Sequence, residues 1–484
     1  MNFGMIKNLC GQVIRFEAIF MALSLIVSFI YGEFASAVVF SVIIALMLIL
    51  SFILTYKKPS NRSFYAKEGL VTVSLSWVII AFFGAMPFYF SGAIPSIVDS
   101  LFESISGFTT TGASILSQVE TLDKSILFWR SFTHWIGGMG VLMFVMAILP
   151  LSGADPLHLM RAESPGPTTE KLVPKARQTA MILYKIYIGL SLLEMVLLLF
   201  GGMPLYDSIV HTFGTAGTGG FSIKNASIGA YNSVYIDVVV TVFMVLFGIN
   251  FSAFFLLLAK KFKSFLAHEE LRVYVSIVLI SMAAIAINIT GTVYESFGES
   301  IRYASFQVAS IMTTTGYGTA NFDQWPTFSK FLLLSLMFIG ACAGSTGGGI
   351  KVSRFIIMIK TLKRKALNIV HPQAVKLIKL DNIPVHEDVI RGTGVFMVVF
   401  FGITAVSTLL ISFNGFDMKT TASAVVACIN NIGPGLGMVS PVGNYSDFSI
   451  FSKIILFINM LIGRLEVYPI LLLLSPTIWQ KRKF

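Results

Sequence analysis

Ten apolar runs, each near the length of about 20 residues that lets an α-helix cross hydrocarbon, leave this chain few ways to fold. They fall at Val13–Tyr31, Ala35–Tyr56, Gly69–Phe90, Ile126–Leu149, Ala180–Phe200, Val234–Leu258, Val273–Ile289, Phe328–Lys360, Val389–Phe413 and Phe448–Pro476. With 55% hydrophobic and only 12% charged residues, the sequence cannot clothe a soluble protein of 484 residues. The first run is long and lacks a small-residue cleavage site, so it is expected to stay as a helix. Cys10, Cys342 and Cys428 form no CxxC pair and no disulfide framework.

Charge fixes the expected direction of each span. Basic residues gather at Lys57, Lys58, Arg62 and Lys67, at Arg161, Lys171, Lys175 and Arg177, and at Lys260, Lys261, Lys263 and Arg272. A larger group runs from Lys351 through Lys363, Arg364 and Lys365 to Arg391, and the tail carries Lys481, Arg482 and Lys483. With ten spans all of these lie on one side, while the other side holds only Lys124, Lys224, Lys419 and a few more. The positive-inside rule then makes both termini cytoplasmic. The net charge of +11 is thus a mark of topology before it is a sign of any acidic partner, and anionic membrane lipid is the secondary attraction. Nucleic acid is not an expected partner.

Inside the last four pairs of spans lie segments of about a dozen residues, too short to cross and suited to helices that stop halfway. Each runs into a polar turn. The first gives Thr109, Thr110, Thr111, Gly112 and Ala113, and the third gives Thr313, Thr314, Thr315, Gly316 and Tyr317. A looser copy is Thr218, Gly219, Gly220 and Phe221, with Gly217 leaving its register open, and the weakest is Asn431, Ile432 and Gly433. Taking Gly112, Gly220, Gly316 and Gly433 as equivalent, the copies recur about every 100 residues, the mark of a repeated unit. Two spans per unit restore direction, so all four turns open outward about an axis along the membrane normal, unlike carriers built from inverted repeats.

The expected architecture is an all-α polytopic membrane protein. Residues 1–66 form two extra N-terminal helices, and four span–half-helix–span pore repeats follow at 67–160, 161–265, 266–370 and 371–484. Irregular backbone at membrane depth survives only where it lines a cavity, and glycine lets successive carbonyls point inward to replace the hydration shell of a cation. Intramembrane enzyme chemistry has no support, since the spans hold no HExxH, Ser/His or paired-Asp arrangement.

These turns, together with the Gly-rich run Gly340–Gly349, resemble the Trk/Ktr/HKT superfamily over essentially the whole chain, most closely the membrane subunit of bacterial potassium-uptake systems. The resemblance implies a potassium filter of Thr110, Thr111 and Gly112; Thr218, Gly219 and Gly220; Thr314, Thr315 and Gly316; and Asn431, Ile432 and Gly433. Members that admit sodium often carry serine at the first filter glycine; Gly112 therefore implies potassium preference. The resemblance also implies a homodimer in the bacterial inner membrane. It further implies a cytosolic regulatory subunit of the TrkA type that binds NAD and ATP. The cytoplasmic loops span at most about 25–30 residues, too few for a sensory domain, so no nucleotide is expected on this chain itself. Transport coupled to protons or sodium, and a less selective sodium/potassium pathway, remain alternatives.

Two further features lie in the spans. Gly344, Ser345, Thr346, Gly347, Gly348 and Gly349 break the eighth span, and the extra residue before Lys351 spoils a Walker pattern. A packing kink and a movable segment under the filter are both open readings, and the resemblance favours the second. Arg464 sits in the last span, with Glu466 on another face. It is either a structural ion pair, a snorkelling cation or an electrostatic barrier in the path. Glu103 is expected to brace a turn, Glu194 to bond across helices, and His134 and His211 to be structural.

Overall fold

The computed structural model describes residues 1–57, 65–140 and 176–476. The expected span end at 141–149, the repeat boundary at 160–161, and Lys58, Arg62, Arg161, Lys171, Lys175, Lys481, Arg482 and Lys483 lie outside the described residues. What is described is helical almost throughout. Among the described residues the strands are Lys379–Leu380 and Ile383–Pro384, a hairpin whose turn residues Asp381 and Asn382 have φ of 50° and 63°.

Two helices, Phe3–Tyr31 and Phe34–Thr55, open the chain and turn at Gly32, whose φ of 72° suits glycine. Arg15 on the first donates to Ser51 (3.2 Å) and Thr55 (2.8 Å) on the second, which ties the pair near its basic end. Four long helices then begin the expected repeats: Ala66–Phe90, Ala176–Phe200, Glu269–Ile289 and Glu387–Ile411. Large apolar side chains on these helices, among them Ile280, Ile287, Val398 and Leu409, stand exposed, as a lipid-facing surface requires.

After each comes a short helix: Ile97–Phe108, Leu205–Gly217, Phe297–Met312 and Met418–Ile429. Three start on a side-chain cap, with Ser96, Ser296 and Asp417 accepting from the backbone N–H of Asp99, Glu299 and Thr420. Their 12 to 16 residues, at 1.5 Å per residue, reach only partway through a bilayer.

The inner spans differ from the sequence reading. Six described helices are long and apolar enough to cross a membrane, or seven if one bent pair counts as a single span, against the ten expected. The eighth span breaks where its glycines predict, leaving Thr327–Ile339 and Val352–Val370. Two others read as continuous but are also interrupted. Val234–Phe247 and Phe251–Leu258 meet at 96°, and Ile450–Arg464 is separated from Tyr468–Leu474 by residues 465–467. The first bend has local causes: Asn250 caps the second helix by accepting from Ser252 N–H (2.8 Å), and Gly248 lies where a Cβ would strike Tyr274. The second contains Glu466 and Val467 at φ of 57° and 73°, costly for a β-branched residue and invisible to hydropathy.

Candidate functional site

The four turns share one backbone. Thr110, Thr218, Thr314 and Asn431 adopt left-handed φ of 56°, 55°, 63° and 56°, and two residues on, Gly112, Gly220, Gly316 and Gly433 have φ of 76°, 75°, 80° and 90°. Between them, the N–H groups of Thr111, Gly219, Thr315 and Ile432 donate back to Ser106, Gly214, Ser310 and Ala427 at 2.8, 2.8, 2.8 and 2.9 Å. Those bonds stop each helix by satisfying its last carbonyls. The register left open in the second turn is therefore Thr218–Gly219–Gly220. Three threonines in a conformation that β-branched residues avoid mark stored backbone strain, which clusters at functional sites.

The turns also close on one another. A Cβ at Gly112 would strike the carbonyl oxygen of Gly219, one at Gly220 that of Thr315, and one at Gly316 that of Ile432. One at Gly433 would lie 2.6 Å from the carbonyl oxygen of Thr111, which completes the cycle. All four glycines line a single cavity that Arg130 and Tyr445 also border. The short helices end at this ring, so their negative dipole ends face it.

A buried scaffold holds the ring. Glu103 accepts from Arg130 (2.6 Å), Ser114 (2.9 Å) and the backbone N–H of Ile115 (3.0 Å). Arg130 also donates to Ser222 O (3.0 Å) and lies 3.6 Å from the centre of the Phe221 ring, which joins the first turn to the second. His134 bonds Gly107 O through Nδ1 (2.7 Å) and accepts from Phe221 N–H through Nε2 (3.2 Å), and His211 bonds Asp207 O and Ser222. Tyr445 donates to Gly433 O (2.7 Å), and Asn431 to Thr111 Oγ1 (2.9 Å). Glu194 is fully buried on Ala176–Phe200, beside Thr215 of the following short helix.

Beneath the ring the Gly-rich segment makes a folded-back excursion. Lys351 N–H returns to Ile339 O (3.0 Å), so entry and exit lie side by side. Its backbone groups are satisfied by neighbours, as buried irregular chain demands. Gly348 N–H donates to Thr314 Oγ1 (2.6 Å) and Gly349 N–H to Asn430 O (3.0 Å), against the third and fourth turns. Cys342 N–H donates to Gly248 O and Phe251 N–H to Gly344 O, both at 3.0 Å, through groups freed by the 96° bend. Arg464 crosses the same level, donating to Thr346 O (2.8 Å), Gly137 O (2.5 Å) and Gly138 O (2.7 Å).

Sequence reasoning missed the roles of four charged residues here. Lys351, buried at 2% exposure, donates to Gly347 O; Arg354 pairs with Glu466 (2.5 Å); and Glu270 accepts from Ala343 and Ser353 N–H. Lys351, one residue beyond the glycine run, was the available signal; Glu270 and Glu466 gave none, because their partners are distant in sequence.

The chain matches the family described as TrkH, cation transport protein, over residues 35–481. It is 36% identical to the Trk system potassium uptake protein TrkH of Salmonella typhimurium, covering 99% of this chain and all of that one. It is 36% identical to the TrkH protein of Escherichia coli strain K12, with the same coverage. The crystal structure of the potassium transporter TrkH from Vibrio parahaemolyticus superposes with a TM-score of 0.88 at 31% identity, covering 99% of this chain and 100% of that one. A helical chain that matches TrkH proteins over nearly its whole length and superposes on a solved TrkH structure is a transporter rather than an enzyme, and it belongs to the TrkH family of cation transport proteins.

Proposed function

We propose that this protein takes up potassium across the bacterial inner membrane through the ring of Thr110–Gly112, Thr218–Gly220, Thr314–Gly316 and Asn431–Gly433. The observation that carries the reading is the closed cycle of four equivalent turns, each with its left-handed pair and each glycine facing the carbonyl of the next. Such a cycle offers main-chain oxygens from four sides to a dehydrated cation, and the converging helix ends favour positive charge. The four units are pore repeats bounded at residues 67–160, 161–265, 266–370 and 371–484, with both termini cytoplasmic. Gly112 in place of serine supports potassium over sodium.

Gly344–Gly349 and Arg464 form the gate in this proposal. The segment touches the undersides of the third and fourth turns, and the guanidinium spans from it to the end of Lys124–Gly138. A fixed positive charge at this level opposes cation passage until it moves. The chain works as a homodimer under a cytosolic regulatory subunit of the TrkA type, which supplies the nucleotide sensing.

The test is rubidium and potassium flux into liposomes holding the purified protein under an imposed potential. The reading expects flux that stops at the potassium equilibrium potential, is competed by potassium more than by sodium, and is indifferent to a proton gradient. A reversal potential that moves with the proton gradient would replace a passive pathway with coupled transport. Absence of potassium-competed flux would end the proposal.

A further inference from the structure

We propose that Glu270 is the positioning residue that latches the Gly-rich segment shut, and that the cytosolic hairpin Lys379–Pro384 sets the position of this latch. The inference rests on the gate reading above and adds to it a residue and a route by which the cytosolic face reaches the pore. Glu270 sits in the first turn of Glu269–Ile289 and is 2% exposed. One of its oxygens, Oε1, accepts from Ala343 N–H at 2.8 Å and from Ser353 N–H at 2.9 Å. These donors flank the excursion. Ala343 lies in its descending limb, and Ser353 lies in the first turn of Val352–Val370, where helical N–H groups have no partner of their own. A single carboxylate therefore pins both limbs, and its charge favours the N-terminus of the helix that follows.

The same turn is held from the cytosolic side. Asp381, in the hairpin turn, accepts from Glu269 N–H at 2.5 Å and lies 3.4 Å from His268 Nε2. Lys360, on the helix that leaves the gate, pairs with Glu269 at 2.5 Å and donates to Lys379 O at 2.7 Å. Hairpin, helix start and gate exit thus form one linked group, with Glu270 as its inward member. A displacement of the hairpin pulls residues 268–270 and withdraws the acceptor shared by Ala343 and Ser353.

The experiment measures rubidium flux of the full chain in liposomes without any partner, for Glu270→Ala, Glu270→Gln, Ser353→Pro, Asp381→Ala and Arg464→Ala. Proline is tolerated in a first helical turn and deletes the N–H that Glu270 receives, together with the Ser353 hydroxyl beside it. Expected is a rise of about tenfold for Glu270→Ala, the effect of about 1.4 kcal/mol on a closed–open equilibrium. Smaller rises are expected for Ser353→Pro and Asp381→Ala, with a return toward the parent for Glu270→Gln, which keeps Oε1. The potassium-to-sodium ratio stays fixed throughout, because the ring is untouched. Parental or lower flux in folded Glu270→Ala and Ser353→Pro, alongside raised flux in Arg464→Ala, overturns the latch and leaves the gate standing. Parental flux in all of them, Arg464→Ala included, overturns both. If Glu270→Ala does not fold, Ser353→Pro decides.

Discussion

Replacing Gly112 with serine tests the ring at its most constrained point. The residue has φ of 76°, where a side chain costs about 1–2 kcal/mol. Its Cβ would also strike the Gly219 carbonyl oxygen and lie 3.0 Å from the carbonyl carbon, so backbone must move. That carbonyl belongs to the next turn of the cycle, and moving it alters the cage offered to the ion. If relief takes up a comparable 1–2 kcal/mol of the preference for potassium, discrimination against sodium falls by about 5- to 30-fold. Gly92 provides the control. Its φ is 77°, yet nothing lies within 4 Å of a Cβ there, so Gly92→Ser carries the backbone cost without touching the ring. The assay is competition of sodium and potassium for rubidium flux in liposomes, with thermal stability in detergent measured in parallel. Both variants are expected to lose stability, Gly112→Ser the more because of its clash, and only Gly112→Ser to gain relative sodium permeability. An unchanged ratio in folded Gly112→Ser, or an equal change in both, would refute the reasoning.

Three other perturbations have defined outcomes. Arg464→Ala removes the guanidinium that binds Thr346, Gly137 and Gly138 carbonyls, and it is expected to raise unstimulated flux, as is shortening Gly344–Gly349. Parental flux in both variants would exclude the gate. Glu103→Gln leaves buried Arg130 without its counter-charge, which costs about 3–5 kcal/mol, and the melting temperature should fall clearly; an unshifted melting curve would show that the brace is dispensable. Asp417 caps Met418–Ile429, and its hydrogen bonding to Thr420 holds its carboxyl below the ordinary aspartate value. With the folded pKa depressed, this contribution is complete above about pH 4 and fades as pH falls through the folded value. Asp417→Ala should therefore be less stable than the parent at pH 7, by about 0.5 kcal/mol given its exposure, and equally stable in strong acid.

What the sequence displays and what it conceals follow from the range of each interaction. The short helices were legible because their signals are local: caps such as Ser96 and Ser296, a dozen apolar residues, then a Thr/Gly stop. The fourth turn looked the least similar, yet Asn431 takes the same left-handed φ as the three threonines. Residue type there is constrained less than backbone path, since Asn enters that region more easily than Thr. The bend at Gly248–Asn250 carried a local glycine and a capping residue, but the apolar run Val234–Leu258 around them hid them from a hydropathy reading. The break at residues 465–467 was flanked by Gly463 and Pro469, signals that the apolar length of the run overrode.

The hidden breaks share a cause that no local pattern can express. A Gly-rich segment at membrane depth has backbone groups that neither lipid nor its own helix can satisfy. The bend between Val234–Phe247 and Phe251–Leu258 presents Phe247 O and Gly248 O to Thr346 and Cys342, and Phe251 N–H to Gly344 O. The break at residues 465–467 lets Glu466 reach Arg354, in the helix that follows the segment, while Arg464 reaches Thr346 within it. Three inner spans therefore lose helical continuity together, each supplying polar groups that another needs. Making the Gly-rich span a plain helix strands groups at both other breaks, and making either of those continuous strands groups in or beside the Gly-rich segment. The interruption is thus a property of the assembled ring of spans rather than of any one segment.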